Sequence, residues 1–437
     1  MKSEKKLLAF AIPYLLSNLV QSLYNVTDMI IVGKVCGKAS MSGVATGSQV
    51  TMFVTQLIIG LCSGTTALIG QQIGAKKEKA IKETVGTLFT VLLLLGIVLT
   101  ICLPFLVKPI LHLLQTPSES MEEASNYLTI TLFGLVFIFI YNAFSSIMRG
   151  LGDSFRPFIL IGIACCTNVV LDLILIIHFH MGARGAAIAT VVSQVISMLL
   201  CIPFLQKYKY VFGFHKNYHG INKKRLGEIL RFGGPTAVQN VVTIASFMVV
   251  TAIVNSLGVT ASATVGAVGK ITNFALMPVI ALQASIMVIG AQNMGAANYE
   301  GAASVLKTGM KVAFTISFII FVTVQAFPEQ LIRIFTSEPE VIRSGVIYIR
   351  RLSIDYFPAT GLMCLVGLFT GAGHSKFCFI TSMFSAFLFR IPVAYIFGIR
   401  LNQGLAGVGL AAPIASSTAL ILAIGFYTSG RWKKKFS

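Results

Sequence analysis

Asn168 and Asp172 lie four residues apart inside the apolar run TNVVLDLILII. On an α-helix that spacing stacks the two side chains on one face. A carboxylate in such a run is unfavourable in a bilayer, so it needs a partner, a cavity or a function. Of the 15 acidic residues, Asp28 and Asp172 are the two that fall well inside apolar runs, with Asp355 a shallower third. At about 1.5 Å per residue, Asp28 lies about 31 Å along the first run and Asp172 about 24 Å along the fifth; Thr190 is about 9 Å into the sixth from its other end. Asp28, Asn168, Asp172 and Thr190 are thus expected at the outer side of the first half of the chain. Tyr24 sits one turn before Asp28 and could donate a hydrogen bond to it. Their oxygens are hard ligands that suit Na⁺ or a proton relay. Protonation or cation binding would cancel the charge and change which helix packing is favoured. The competing reading is structural, with Asp172 and Asn168 satisfying one another and Asp28 capping an interface.

The elements that must hold these residues are membrane spans. The chain has 437 residues, 55% hydrophobic and only 11% charged, against about 25% charged in soluble domains. Twelve spans are expected, at 7–33, 43–70, 84–108, 124–149, 156–179, 184–206, 227–257, 262–290, 308–335, 346–371, 376–399 and 404–428. Each is long enough to cross a hydrocarbon core of about 30 Å. No small-residue cleavage site follows the first run, so it reads as a retained span and not as a signal peptide. The longest polar stretch runs only from Lys207 to Glu228, which leaves no soluble domain.

A net charge of +19 invites a nucleic-acid reading, but the placement of the charges argues against it. With the N-terminus inside, most Lys and Arg fall in inner loops or tails, notably Lys76, Lys77, Lys79, Lys82 and the Lys207 to Arg231 segment. That is the positive-inside bias of a multi-span protein with both termini cytoplasmic; the expected location is a bacterial cell (plasma or inner) membrane. The eight Cys are scattered with no metal-ligand spacing, so they read as small apolar core residues. His178, His180 and Arg184 read as loop residues. GLGDS after Arg149 lacks the strand and lysine of a phosphate loop. No set of nucleophile, base and orienting group suggests an enzyme, and no cofactor is expected beyond a coupling ion.

The two halves repeat. A shift of 220 to 222 residues brings FAIPYLLSN (10–18) onto FGGPTAVQN (232–240), GQQIGA (70–75) onto AQNMGA (291–296) and QTPSE (115–119) onto FTSEP (335–339). The same shift brings MRGLGDS (148–154) onto FTGAGHS (369–375) and GARGAAIAT (182–190) onto GLAGVGLAA (404–412). Six spans per half insert both halves with the same orientation, an arrangement of alternating-access transporters with a cleft between lobes. The fold expected is an all-α membrane protein of twelve transmembrane helices in two parallel six-helix repeats around a central cleft. Its lobes are an N-lobe at 1–215 carrying the cation-coupling site and a C-lobe at 216–437. The repeat is broken at the site: Arg390 takes the place of Asn168, and Val393 or Ala394 that of Asp172. Arg390 is expected to be held by Asp355, to bond backbone carbonyls or to snorkel. Lys270, at the place of Gln49, could line the cleft or snorkel outward. Gln21, Gln49, Asn142, Lys270 and Asn273 are the candidate substrate-binding residues. Pro13 should kink the first span, and Gly60/Gly64 and Gly70/Gly74 should let helices approach closely.

Several segments together resemble the multidrug and toxic compound extrusion (MATE) transporters: Pro13, Tyr24 and Asp28 in span one, IGQQIGA (69–75), MRGLGDSFRP (148–157), NVVLD (168–172) and GARGAAIAT (182–190). The resemblance covers essentially the whole chain. It implies two six-helix lobes and efflux of organic, often cationic, compounds driven by inward flow of H⁺ or Na⁺. It also implies an N-lobe cation site whose residues match Asp28, Asn168, Asp172 and Thr190, with Pro13 as the span-one proline. A branch of that family carries further acidic residues in helices seven and ten; here span seven has none after Glu228, and Asp355 lies too early. The expected function is a monomeric antiporter in contact with membrane lipids. It exports amphipathic organic cations in exchange for H⁺ or Na⁺ and binds no nucleic acid. Flipping of a lipid-linked envelope precursor is the alternative, and a receptor or scaffold without transport is a more distant one.

Overall fold

The computed structural model describes residues 2–207 and 220–434. All regular structure among them is helical. Among the described residues eleven helices are long and apolar enough to cross a membrane, or twelve when a bent pair counts as one span. We number them α1 (Glu4–Val35), α2 (Ala39–Gly74), α3 (Glu78–Leu113), α4 (Ser118–Phe133 with Leu135–Gly150), α5 (Phe155–His178) and α6 (Gly182–Phe204). The second set is α7 (Lys223–Asn255), α8 (Val259–Gly295), α9 (Tyr299–Ala326), α10 (Pro339–Gly371), α11 (Ser375–Arg400) and α12 (Gly404–Thr428). Each expected span has its helix. The ninth ends before its apolar run does, because Pro328 lacks an N–H and stops α9, with a separate six-residue helix at Pro328–Arg333. The α4 segments meet at 50° beside Gly134. Backbone helix continues through Pro13 in α1.

The chain divides into two compact units. One is Leu16–Gly233; the other joins Met1–Leu15 to Gly234–Ser437. Both changes of unit fall beside a repeat-related proline, Pro13 in α1 and Pro235 in α7. The boundary expected at 215 and 216 lies outside the described residues, as does much of the basic stretch that begins at Lys207.

In the Leu16–Gly233 unit, Leu88, Leu92, Leu128, Leu132, Phe139 and Phe144 form one core, all fully buried. A smaller core of Val32, Val44, Tyr127, Ile176, Ala183 and Ala187 packs the ends of α1, α2, α4, α5 and α6 together. Gly64 shows why small residues recur in α2: a Cβ there would stand 2.3 Å from the Cα of Gly233 in α7. Asn222 starts α7, its side chain accepting from the N–H groups of Lys224 (3.0 Å) and Arg225 (3.2 Å). Arg225 then pairs with Glu83 (2.9 Å) and Glu228 (2.8 Å). In the other unit, Leu7, Ile286, Leu368, Phe369 and Trp432 form one core, and Val268, Tyr348, Ile349 and Tyr356 another.

Repeat symmetry reaches the backbone. Gly152 and Gly373 hold corresponding turns at φ 92° and 90°, a region that only glycine enters freely. After Gly152, Asp153 accepts from the N–H groups of Phe155 (3.0 Å) and Arg156 (3.2 Å) and pairs with the Arg156 side chain. MRGLGDS is therefore a helix cap. Both α5 and α11 end in a π-helical turn, Leu173–His178 and Ile396–Arg400. In α5 the turn begins immediately after Asp172.

Candidate functional site

Five helices of the Leu16–Gly233 unit bring one polar cluster together. Tyr24 and Asp28 share a face of α1, Ser48 comes from α2, Tyr127 from α4, Asn168 and Asp172 from α5, and Thr190 from α6. Asp28 is 6% exposed, Asn168 1% and Asp172 0%. The Asp28 and Asp172 carboxyls are neighbours in the cluster, where two like charges would repel. The α-helical spacing of 168 and 172 places both side chains of α5 inward, and the π turn that follows widens the helix at that level.

Around the pair, hydroxyls are tied across helices. Tyr24 and Thr190 meet through their hydroxyls at 3.2 Å, and Ser48 donates to the Tyr127 hydroxyl at 3.1 Å. Tyr24 therefore bonds α6 instead of reaching Asp28 one turn away. Thr51 and Thr131 form a similar α2–α4 link at 3.2 Å. The centre of the cluster has no such ties. Asp28 Oδ1, both Asp172 oxygens, and Asn168 Oδ1 and Nδ2 are buried with no hydrogen-bond partner. Buried polar groups in native proteins are nearly always paired, and a lone buried carboxylate loses its hydration without return. Asn168 thus does not satisfy Asp172. The oxygens converge as acceptors for a proton or a small hard cation.

Tyr127 and Ser48 were not singled out from the sequence. Tyr127 lies in NYLTIT near the acidic start of α4, and its face is legible only once α4 packs on α2. The remaining candidates are placed as follows. Gln21 and Gln49 are exposed, and Asn142 donates to Ile138 O of its own helix at 2.8 Å. Lys270 and Asn273 are exposed on α8, with the Lys270 ammonium 5.8 Å from the Phe335 ring centre. Arg390 donates to Ser246 Oγ at 3.0 Å and lies over the Phe247 ring at 4.6 Å; its Nε has no partner. Asp355 sits in a tight turn that interrupts α10, near enough to act on Arg390 electrostatically. Arg184 faces Glu122 at 3.9 Å at the surface, and His178 stands edge-on to Phe179. Among the described residues no three His, Cys, Asp or Glu side chains converge as a metal site.

Known proteins resemble this chain over nearly its whole length. The MatE family model matches twice, at residues 13–174 and 235–396, which is the repeat offset of 222 (235 − 13). The probable multidrug resistance protein YoeA of Bacillus subtilis is 28% identical over 433 residues, 98% of this chain and 93% of that protein. The probable multidrug resistance protein NorM of Thermotoga maritima is 28% identical over 437 residues, 99% of this chain and 93% of that one. A transporter of Pyrococcus furiosus, described as a MOP superfamily transporter with reverse polarity of its binding pocket, shares the fold at TM-score 0.92 and 24% identity, over 99% and 97% of the chains. A MATE crystal structure in complex with MaL6 gives TM-score 0.92 at 25% identity, over 98% and 96%. Transport and not catalysis is the business of this family, and the chain belongs to the MatE family as a multi-pass membrane transporter.

Proposed function

We propose that this protein is a secondary antiporter that exports amphipathic organic cations in exchange for H⁺ or Na⁺, with Asp28 and Asp172 as the coupling pair. The observation that carries the reading is the pair itself: two adjacent carboxyls, buried to 6% exposure or less and without a cationic partner. Such a pair is stable only when a proton or cation offsets its charge. Binding and release of that ion therefore change which packing of α1 against α5 and α6 is favoured. Asn168 and Thr190 supply further ligand oxygens, and the Tyr24–Thr190 bond fixes α1 against α6 beside the pair. The protein works in the cell membrane with both termini cytoplasmic, as a monomer. Gln21, Gln49, Asn142, Lys270 and Asn273 contact the substrate, and Pro13 is the flexible point of α1.

The test is accumulation of ethidium in proteoliposomes of wild type and Asp172→Asn, under an imposed pH gradient in one set and a Na⁺ gradient in the other. One gradient should drive flux in the wild type, and the variant should lose it while remaining folded. Normal transport by Asp172→Asn would remove the coupling role.

A second reading concerns an anionic cargo. The chain has no Asp or Glu after Asp355, and Arg390 and Lys270 lie in spans. A relative 22% identical over 435 residues is named an FAD transporter, of Shewanella oneidensis. If neither gradient moves ethidium through folded protein, flux of a phosphate-bearing lipid-linked precursor is the next assay.

A further inference from the structure

The unit that contains Gly234–Ser437 carries a groove of about 430 Å³ that the coupling cluster does not use. Its walls are Phe377, Ile380 and Phe384 of α11 and Leu422 and Phe426 of α12. Phe377 and Phe426 stack at 4.1 Å between ring centres, and Ile380 and Leu422 are 54% and 41% exposed. Gly425 opens the wall: a Cβ there meets no atom within 4 Å. At one end the lining turns polar, with Ser429 and Arg431.

The backbone at Arg431 is held in place. Gly430 reverses the chain at φ 69°, and the Arg431 N–H donates to Ser429 Oγ at 3.4 Å. The next residue, Trp432, is 1% exposed, stacks on Tyr427 at 5.4 Å, and its carbonyl meets His374 Nε2 at 3.2 Å. The Arg431 side chain is exposed, and no carboxylate pairs with it among the described residues. Lys376 precedes the first groove residue, and Lys433 and Lys434 follow Trp432. An apolar trough within two spans that ends on an exposed, unpaired arginine with an anchored backbone suits an amphipathic anion.

We infer that this groove binds an anionic glycerophospholipid. An acyl chain lies along the Phe377–Phe384 and Leu422–Phe426 walls, and the headgroup phosphate meets the Arg431 guanidinium. Guanidinium groups pair with phosphate bidentately, and Lys376, Lys433 and Lys434 add positive potential at headgroup depth. The aromatic and branched walls exclude water from the chain region, so the acyl chain supplies affinity and Arg431 supplies headgroup selection. This inference does not rest on the antiporter reading, because the groove residues belong to neither the coupling pair nor the substrate candidates.

The chain has a single tryptophan, and it adjoins the site. The experiment is therefore quenching of Trp432 fluorescence in the full-length protein in nanodiscs, titrated with dibrominated phosphatidylglycerol or dibrominated phosphatidylcholine at fixed total lipid. Half-quenching should need about fivefold less phosphatidylglycerol than phosphatidylcholine. Arg431→Gln should bring the two curves together. Gly425→Leu, whose Cβ would meet no atom within 4 Å, narrows the trough and should weaken quenching by both lipids. Coincident curves in the wild type would overturn the inference, as would a preference retained in both variants. Competition by inorganic phosphate would also overturn it, by showing a small-anion site in place of a lipid site.

Discussion

Tyr24 on α1 and Thr190 on α6 are joined through their hydroxyls at 3.2 Å, directly beside two buried carboxyls. The bond ties the first helix of the repeat to its last, across 166 residues of sequence. A polar contact between spans is worth about 0.6 kcal/mol, and up to about 1.7. Tyr24→Phe, Thr190→Ala and the double variant should therefore give a coupling energy of about 0.6 to 1.7 kcal/mol in a thermal-stability cycle. Additive effects would mean the bond does not hold α1 to α6.

Asp28→Asn and Asp172→Asn should behave alike in transport. Each leaves one carboxyl where two hold the ion, so gradient-driven ethidium flux should fall by about tenfold or more. Neither should melt at lower temperature, because removing a buried charge without a partner relieves desolvation. Wild-type flux in either variant, measured in proteoliposomes beside melting curves, would count against the shared-ion pair.

Gly64→Ala tests the close approach of α2 to α7. The added Cβ would stand 2.3 Å from the Gly233 Cα, a backbone atom that cannot swing away. Overpacking of this kind destabilises by about 1 to 3 kcal/mol. The melting temperature in detergent should drop by several degrees. Gly162→Ala in α5, where a Cβ meets nothing within 4 Å, should leave it unchanged. Equal melting of the two variants would refute the contact.

Arg390→Lys addresses the cation in α11. The planar guanidinium lies 4.6 Å from the Phe247 ring centre and bonds Ser246 at 3.0 Å. Lysine keeps the charge but loses the stack and the fork, so stability should fall by about 1 kcal/mol. Asp355→Asn should retain gradient-driven transport, since the coupling pair lies in the other unit. Loss of ion-driven flux in Asp355→Asn, with melting unchanged, would place a coupling role in that unit as well.

The sequence alone determined the number of spans, their repeat and the shared face of Asn168 and Asp172. Transfer free energy depends on local composition, so runs of about 20 apolar residues mark membrane helices wherever they lie. Helical periodicity likewise sets which residues of one helix share a face. Five matches in register located the offset at which the family model recurs. Even the place where the repeat fails, Arg390 opposite Asn168, was legible from alignment of the halves.

Tertiary structure decided the rest. Asp28 and Asp172 are 144 residues apart (172 − 28), and nothing in either run states that α1 turns its acidic face to α5. Tyr127 and Ser48 enter the cluster for the same reason, as does the choice of Thr190 over Asp28 by Tyr24. The contact of Gly64 with Gly233 depends on α7 approaching α2. How one helix is rotated against another is set by interdigitation of side chains remote in sequence. A single chain's periodicity carries no record of that rotation, so the faces could be read from the residues but their partners only from the packing.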